Sequence, residues 1–176
     1  MDISQLQYPI GKLKYEGPAS AALREERMNR IAALPARLRA ASEKLSDAQL
    51  ETPYRPEGWT LRQVIHHVAD SHINAYVRLR WTLTEDQPTI KAYNEADWAV
   101  LPDYKAPIEL SLALLETVQA RFVVLWRELQ DEDFKRSFIH PETNSAVSLD
   151  LMLAQYAWHG EHHLAHVTTT AERLGW

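Results

Sequence analysis

Within the eight residues His159 to His166 stand four of the chain's eight histidines. Histidine is the side chain best suited to holding a transition metal or moving a proton near neutral pH. The stretch reads Tyr156-Ala-Trp-His-Gly-Glu-His-His-Leu-Ala-His-Val167, with no proline and apolar residues between the histidines. At about 100° per residue a helix sets His159 and His163 one turn apart on one side, their Cβ atoms about 5–6 Å from each other. Two imidazoles so placed can grip one divalent ion. His162 and His166 make a second such pair. Leu149, Met152, Leu153, Tyr156, Val167 and Leu174 recur at helical spacing and define the buried stripe. His163 falls within that stripe, His159 and His166 on its margins, and His162 further round, toward solvent. An unpartnered buried polar group costs about 1–3 kcal/mol, so the inward pair, His159 and His163, is the one that needs a ligand.

Composition narrows the setting. At 176 residues, 45% hydrophobic and 24% charged, the chain has the make-up of one soluble globular domain spanning 1–176. A net charge of -5 offers no basic footprint for nucleic acid or an anionic membrane. No apolar run approaches the roughly 18 residues of a membrane span, and Met1-Asp2-Ile3-Ser4-Gln5 lacks the features of a signal peptide. A cytoplasmic location is expected. With no cysteine there is neither a disulfide framework nor a thiolate ligand. Histidine is left as the metal-binding side chain.

The positioning elements read as helices. Residues 1–18, with Tyr8-Pro9-Ile10-Gly11 and Gly17-Pro18, read as an extended arm. A first helix is predicted over Ser20–Leu45, kinked or split at Pro35. A second begins at Thr60, which forms a capping box with Gln63, and runs to about Thr84. Its stripe is Leu61, Val64, Ile65, Val68, Ala75 and Leu79, with His72 inside, His67 at the edge and His66 facing water. Glu85–Ala106 is a long connection carrying a short helix at Glu95–Leu101, and segments of that length are often lids. A third helix over Pro107–Leu129 shows Leu110, Leu114, Val118, Phe122 and Leu125 at helical spacing. Phe138–His140 and Ala146–Val147 can pair as a small hairpin, and Ser148 caps a fourth helix reaching Leu174. The fold class is all-α, a four-helix bundle with a long loop between helices two and three.

A histidine from helix two would complete a three-histidine site, the open arrangement of a catalytic zinc rather than a closed structural one. From spacing alone His67 and His72 compete for that place, and a lone histidine near a core is more often simply hydrogen-bonded. Zincin chemistry is excluded, because Gly160 stands where the glutamate of His-Glu-x-x-His belongs. The inverted His-x-x-Glu-His motif fails at His162, and the paired Glu-x-x-His motifs of di-iron bundles are missing. Trp59, Trp98 and Trp158 are candidates for a pocket wall.

Gly58-Trp59-Thr60-Leu61-Arg62-Gln63-Val64-Ile65-His66-His67 and Trp158-His159-Gly160-Glu161-His162-His163 resemble the two motifs of the DinB/YfiT superfamily. Tyr8-Pro9-Ile10-Gly11 and Leu174-Gly175-Trp176 are similar to its YfiT branch, so the resemblance covers nearly the whole chain. It implies a four-helix bundle whose metal is bound by His67, eight residues after Trp59, and by the His-x-x-x-His pair His159 and His163. His72 is thereby left out, and His166 is expected to support a ligand from behind.

The resemblance further implies a homodimeric zinc or nickel protein acting on a small molecule. It is either a metal-dependent hydrolase or a transferase that joins a low-molecular-weight thiol such as bacillithiol to electrophiles. A zinc hydrolase uses a bound water whose pKa falls to about 7, and it works best with a positioned acid or base. Asp70 is the nearest carboxylate to His67 in sequence and is expected to point away from the stripe. Thiol transfer needs no such partner, which favours it on physical grounds. A non-enzymatic metal-binding or stress-response bundle is the third class. Elemental analysis is expected to find one metal per chain, lost in His67→Ala and kept in His72→Ala; the reverse outcome would make His72 the ligand.

Overall fold

In the computed structural model, which describes residues 2–176, the elements follow the hydrophobic periodicity closely. After a short helix α1 (Ile3–Gln7) come α2 (Ala21–Ser42), α3 (Asp47–Leu50), α4 (Leu61–Thr84), α5 (Glu95–Trp98), α6 (Ile108–Glu128) and α7 (Leu149–Leu174), with a hairpin β1 (Ser137–His140) and β2 (Ser145–Ser148) before α7. The long helices α2, α4, α6 and α7 form the bundle, α2 and α4 each packing on both α6 and α7. No described helix is long and apolar enough to cross a membrane.

Local chemistry explains the starts and stops. Ser20, Thr60 and Ser148 each accept a backbone N–H at the first turn of α2, α4 and α7. In α4 Gln63 Oε1 in turn accepts the Thr60 N–H at 2.9 Å, completing the box. Gly175, at φ +72°, ends α7 in the left-handed conformation that glycine tolerates best. The hairpin pairs Phe138 with Val147 and Ile139 with Ala146. Its outer edge holds the long connection, since Ile90 N–H donates to Ile139 O and Ile139 N–H to Pro88 O.

Several expectations are corrected. Of residues 1–18, expected as an extended arm, Ile3–Gln7 form helix α1 with its own capping box, and the stretch that follows is tied down at several points. Tyr15 Oη and the Ala19 N–H both donate to Asp150 Oδ2, and the Trp158 indole donates to Gly11 O at 3.1 Å. Pro35 neither splits nor ends α2; it is itself buried within a continuous helix, whose packed faces outweigh the lost backbone bond. The short helix in the connection stops at Trp98 rather than Leu101. Leu174 lies exposed rather than in the stripe of α7.

The buried face of α6 is rotated from the predicted one. It carries Ile108, Leu112, Leu115, Gln119, Phe122 and Trp126, whereas Leu110 is 65% and Leu114 43% exposed. Gln119 interrupts the true stripe with a polar residue, which made the neighbouring stripe look cleaner. The reason lies in the core itself. Buried apolar side chains form one cluster around Phe122, Trp126 and Tyr156 and another around Leu61, Val64 and Leu164. Between them, in chain order along each helix, α4 contributes Ser71 and His72, α6 contributes Gln119, and α7 contributes His159 and His163. A polar layer crosses the bundle there.

Gly160 sits at that level for a steric reason. A Cβ added to it would lie 2.6 Å from Leu34 Cδ2, the tip of a fully buried side chain on α2. Alanine would gain about 1 kcal/mol of helix propensity, but overpacking costs typically about 1–3 kcal/mol. Gly160→Ala is therefore expected to lower the urea midpoint of unfolding, a result opposite in sign to that at an exposed helical glycine.

Candidate metal centre

The polar layer separates histidines that have partners from histidines that face one another. His72, fully buried, accepts from Gln119 Nε2 at its Nδ1 over 2.7 Å. His66, expected at the surface, is buried; its ring nitrogens lie 2.7 Å from Ser111 Oγ and 3.1 Å from Ala106 O. The covering comes from α6 and the segment before it, which helical phase cannot foresee. Asp70 is half-buried and accepts from Tyr104 Oη at 2.6 Å. Burial pushes its pKa up, with the Tyr104 hydrogen bond opposing.

The arrangement at His67 is different. Its Nε2 stands 3.2 Å from Nε2 of His159, across the gap between α4 and α7. The His163 ring lies edge-on to both, with centroids 4.8 Å from His67 and 4.5 Å from His159. One nitrogen from each of the three falls within 4.8 Å of the others. Burial, the dominant cause, pushes the His67 pKa down to about 4, helped by the charge of His162. The same cause holds His159 and His163 far below the ordinary imidazole value, with His67 adding to both.

A second set, His162, His163 and His166, also brings donor nitrogens within 4.8 Å. His162 is a further correction: predicted toward solvent, it is buried beneath two aromatic rings. Trp158 stacks on it at 4.5 Å and 17°, and Tyr8 of the N-terminal segment lies 5.8 Å away. His166 stacks on Tyr54 at 4.0 Å.

His67, His159 and His163 line a cavity of about 440 Å³. Its walls include Trp59, Ser71, Arg78, Tyr93 and Tyr156, with Glu95 from the long connection and Glu142 from the hairpin turn. Of the three tryptophans singled out, Trp59 lines it, at 4.8 Å from the His67 ring. Trp98 packs behind Tyr93 at 4.3 Å, and Trp158 serves His162. Glu95 and Glu142 escaped sequence reading because they belong to no motif; only the folded connections bring them to the rim. A larger groove of about 700 Å³ runs between α2 and α6, but it contains no histidine.

The donor set fits a divalent cation. Across 3.2 Å the two neutral rings can share a hydrogen bond, one of them as its Nε2–H tautomer, or both can turn Nε2 lone pairs on a cation between them. Nitrogens about 2.0–2.1 Å from zinc at tetrahedral angles stand about 3.3–3.4 Å apart, close to the spacing observed.

A bundle with inward histidines facing an open cavity defines a class, and comparison with known proteins supplies the family. Residues 30–167 match the DinB superfamily, and the chain belongs to it. A protein of Oceanobacillus iheyensis, named as a candidate metal-dependent hydrolase, is 46% identical over 170 residues, covering 97% of this chain and 98% of that one. A similarly named Bacillus cereus protein is 45% identical over 99% of this chain and 100% of its own length. Among solved structures, YfiT from Bacillus subtilis, described as "a probable metal-dependent hydrolase with an unusual four-helix bundle topology", superposes with a TM-score of 0.95 at 44% identity, covering 98% and 99% of the two chains. A mycothiol-dependent maleylpyruvate isomerase shares the fold at a TM-score of 0.66 and 19% identity, over 82% of this chain and 60% of that one.

Buried neutral histidines make the metal-free protein acid-labile. Their folded pKa lies below the ordinary 6.5, at about 4 for His67 and His166, so the unfolded chain binds more protons between these values. Stability is full above pH 6.5 and falls as pH drops toward 4, at up to about 1.4 kcal/mol per pH unit for each such histidine. Acid titration of the metal-free protein by circular dichroism is expected to show cooperative unfolding within this window, with uptake of more than one proton.

Proposed function

We propose that this chain is a metal-dependent hydrolase of a small molecule, its single divalent ion held by His67, His159 and His163. The observation that carries the reading is the convergence of three neutral imidazoles, two of them with Nε2 atoms 3.2 Å apart, at the wall of an open cavity. The names of the relatives at 45% and 46% identity support it. Zinc suits three neutral imidazoles with open positions, and nickel accepts the same donors. When bound, the ion would supply a Lewis-acid centre that polarises the substrate and favours a nucleophile at neutral pH.

The chain's own residues supply the rest. Trp59 and Tyr156 present aromatic faces to the cavity beside the histidines. Burial pushes the Tyr93 and Tyr156 hydroxyls above their ordinary pKa, so both stay protonated and can donate to a substrate oxygen. Glu95 and Glu142 at the rim are the carboxylates available to take or return a proton, a contribution worth about 10²–10⁴-fold where one is positioned. They supply what the ligand helices lack, since Asp70 is engaged with Tyr104 and does not line the cavity.

A second reading, transfer of a bacillithiol-like thiol to an electrophile, is favoured by one feature: both rim carboxylates are exposed and lie outside the four bundle helices. Parallel assays separate the two. The hydrolase predicts turnover of ester or amide substrates with no thiol present, reduced by about 100-fold or more in His163→Ala. Consumption of monochlorobimane only when a low-molecular-weight thiol is supplied would give the site to transfer. Neither activity, with stoichiometric metal retained, would make this a non-enzymatic metal-binding bundle.

A further inference from the structure

His163 is also in contact with His166, and His166 is in contact with the N-terminal segment. His166 Nε2 lies 3.2 Å from the main-chain oxygen of Gln7, at the end of α1. His166 Nδ1 lies 3.3 Å from Nδ1 of His163. Both histidines are buried, and an uncharged imidazole carries one proton, on one nitrogen or the other.

The proton positions follow from the partner that cannot change. A carbonyl oxygen only accepts, so the proton of His166 is on Nε2 and its Nδ1 is a bare acceptor. The facing Nδ1 of His163 must then be the donor. A nitrogen that donates has no lone pair for a metal, so the lone pair of His163 belongs to Nε2.

We propose that His166, anchored on the Gln7 carbonyl, is a positioning residue that fixes His163 as its Nδ1–H tautomer and so commits His163 Nε2 to the site shared with His67 and His159. The N-terminal segment is thereby part of the metal centre, although it contributes no ligand. The same chain of bonds decides between the two histidine sets. A metal on His162, His163 and His166 that used His163 Nδ1 would require that nitrogen bare and the proton on Nε2, which would withdraw His163 from the cavity. An uncharged ring cannot serve both.

The inference rests on the three-histidine reading for its consequence, but the tautomer can be read without metal. Long-range ¹H–¹⁵N correlation spectra of the metal-free protein are expected to show His163 protonated at Nδ1 and His166 at Nε2. In His166→Leu the His163 preference should be lost, and zinc affinity from competition with a chromophoric chelator should fall about 10–100-fold, the usual cost of removing a group that orients a metal-bound histidine. His166→Gln should keep both the tautomer and an affinity near that of the parent, because its amide can donate to Gln7 O and accept from His163. It also guards against a leucine variant that merely fails to fold. Gln7→Ala should change nothing, since the acceptor is main chain. His163 found protonated at Nε2, or equal zinc affinity in the leucine and glutamine variants, would overturn the proposal. A parent protein with the expected tautomers but no stoichiometric zinc would instead overturn the three-histidine reading and leave the hydrogen-bond chain standing.

Discussion

Imidazole nitrogens left without partners inside a helical bundle are the constraint on which this structure turns. Nδ1 of His67 and Nδ1 of His159 are buried without a partner, while their Nε2 atoms face each other at 3.2 Å, in a layer where neighbouring polar side chains have at least one partner each. His72 has Gln119, His66 has Ser111 and Ala106, and Asp70 has Tyr104. Each such partnership spares a desolvation cost of about 1–3 kcal/mol. His67 and His159 have only each other, through Nε2, and packing holds them there. Leu34 fills the space beside Gly160 and sets how closely α2 approaches α7. The apolar clusters above and below the layer keep α4 and α7 in register. An expensive arrangement maintained by its surroundings is characteristic of a functional site rather than of a core optimised for stability.

How much of this was legible in the sequence depended on whether the information was local. Helix starts at Ser20, Thr60 and Ser148 could be read because a cap and its partner lie within one turn. The α4 stripe could be read because no polar residue but His72 falls in it. The α6 stripe was misread because Gln119 belongs to the polar layer, and its reason for being buried is His72, 47 positions earlier. His66 and His162 were assigned to solvent by helical phase alone. The first is covered by the segment around Ala106 and Ser111, the second by Trp158 and the N-terminal Tyr8. Phase gives the direction in which a side chain leaves its helix, but not what another part of the chain lays over it.

The site therefore has two kinds of contributor. Rigid helices hold the histidines, where a displacement of a few tenths of an ångström matters to a metal. Connections supply most of what a substrate would meet: Tyr93 and Glu95 from the segment between α4 and α6, and Glu142 from the hairpin turn. The main-chain bonds between Ile90, Pro88 and Ile139 join these two connections to each other. They consequently form one wall, and a change in either is transmitted to the other. Loops on a rigid scaffold are where binding residues concentrate.

This division explains why sharing a fold decides so little about the reaction. The mycothiol-dependent isomerase keeps the bundle at a TM-score of 0.66 while differing at most positions, so what the two chains share is the scaffold. Chemistry is set by which groups the walls present to the open side of the histidines, and here there are two open sides. The cavity of about 440 Å³ lies against His67, His159 and His163, while another of about 320 Å³ is lined by Tyr8, Tyr54, Arg55, His162 and His166. Trp59 and His163 border both. A substitution in the N-terminal half of the second cavity has no contact with the first except through these two rings. Its influence on the three histidines must then pass through His163 or through Trp59, which packs 4.8 Å from the His67 ring, whichever reaction the connections on the other side select.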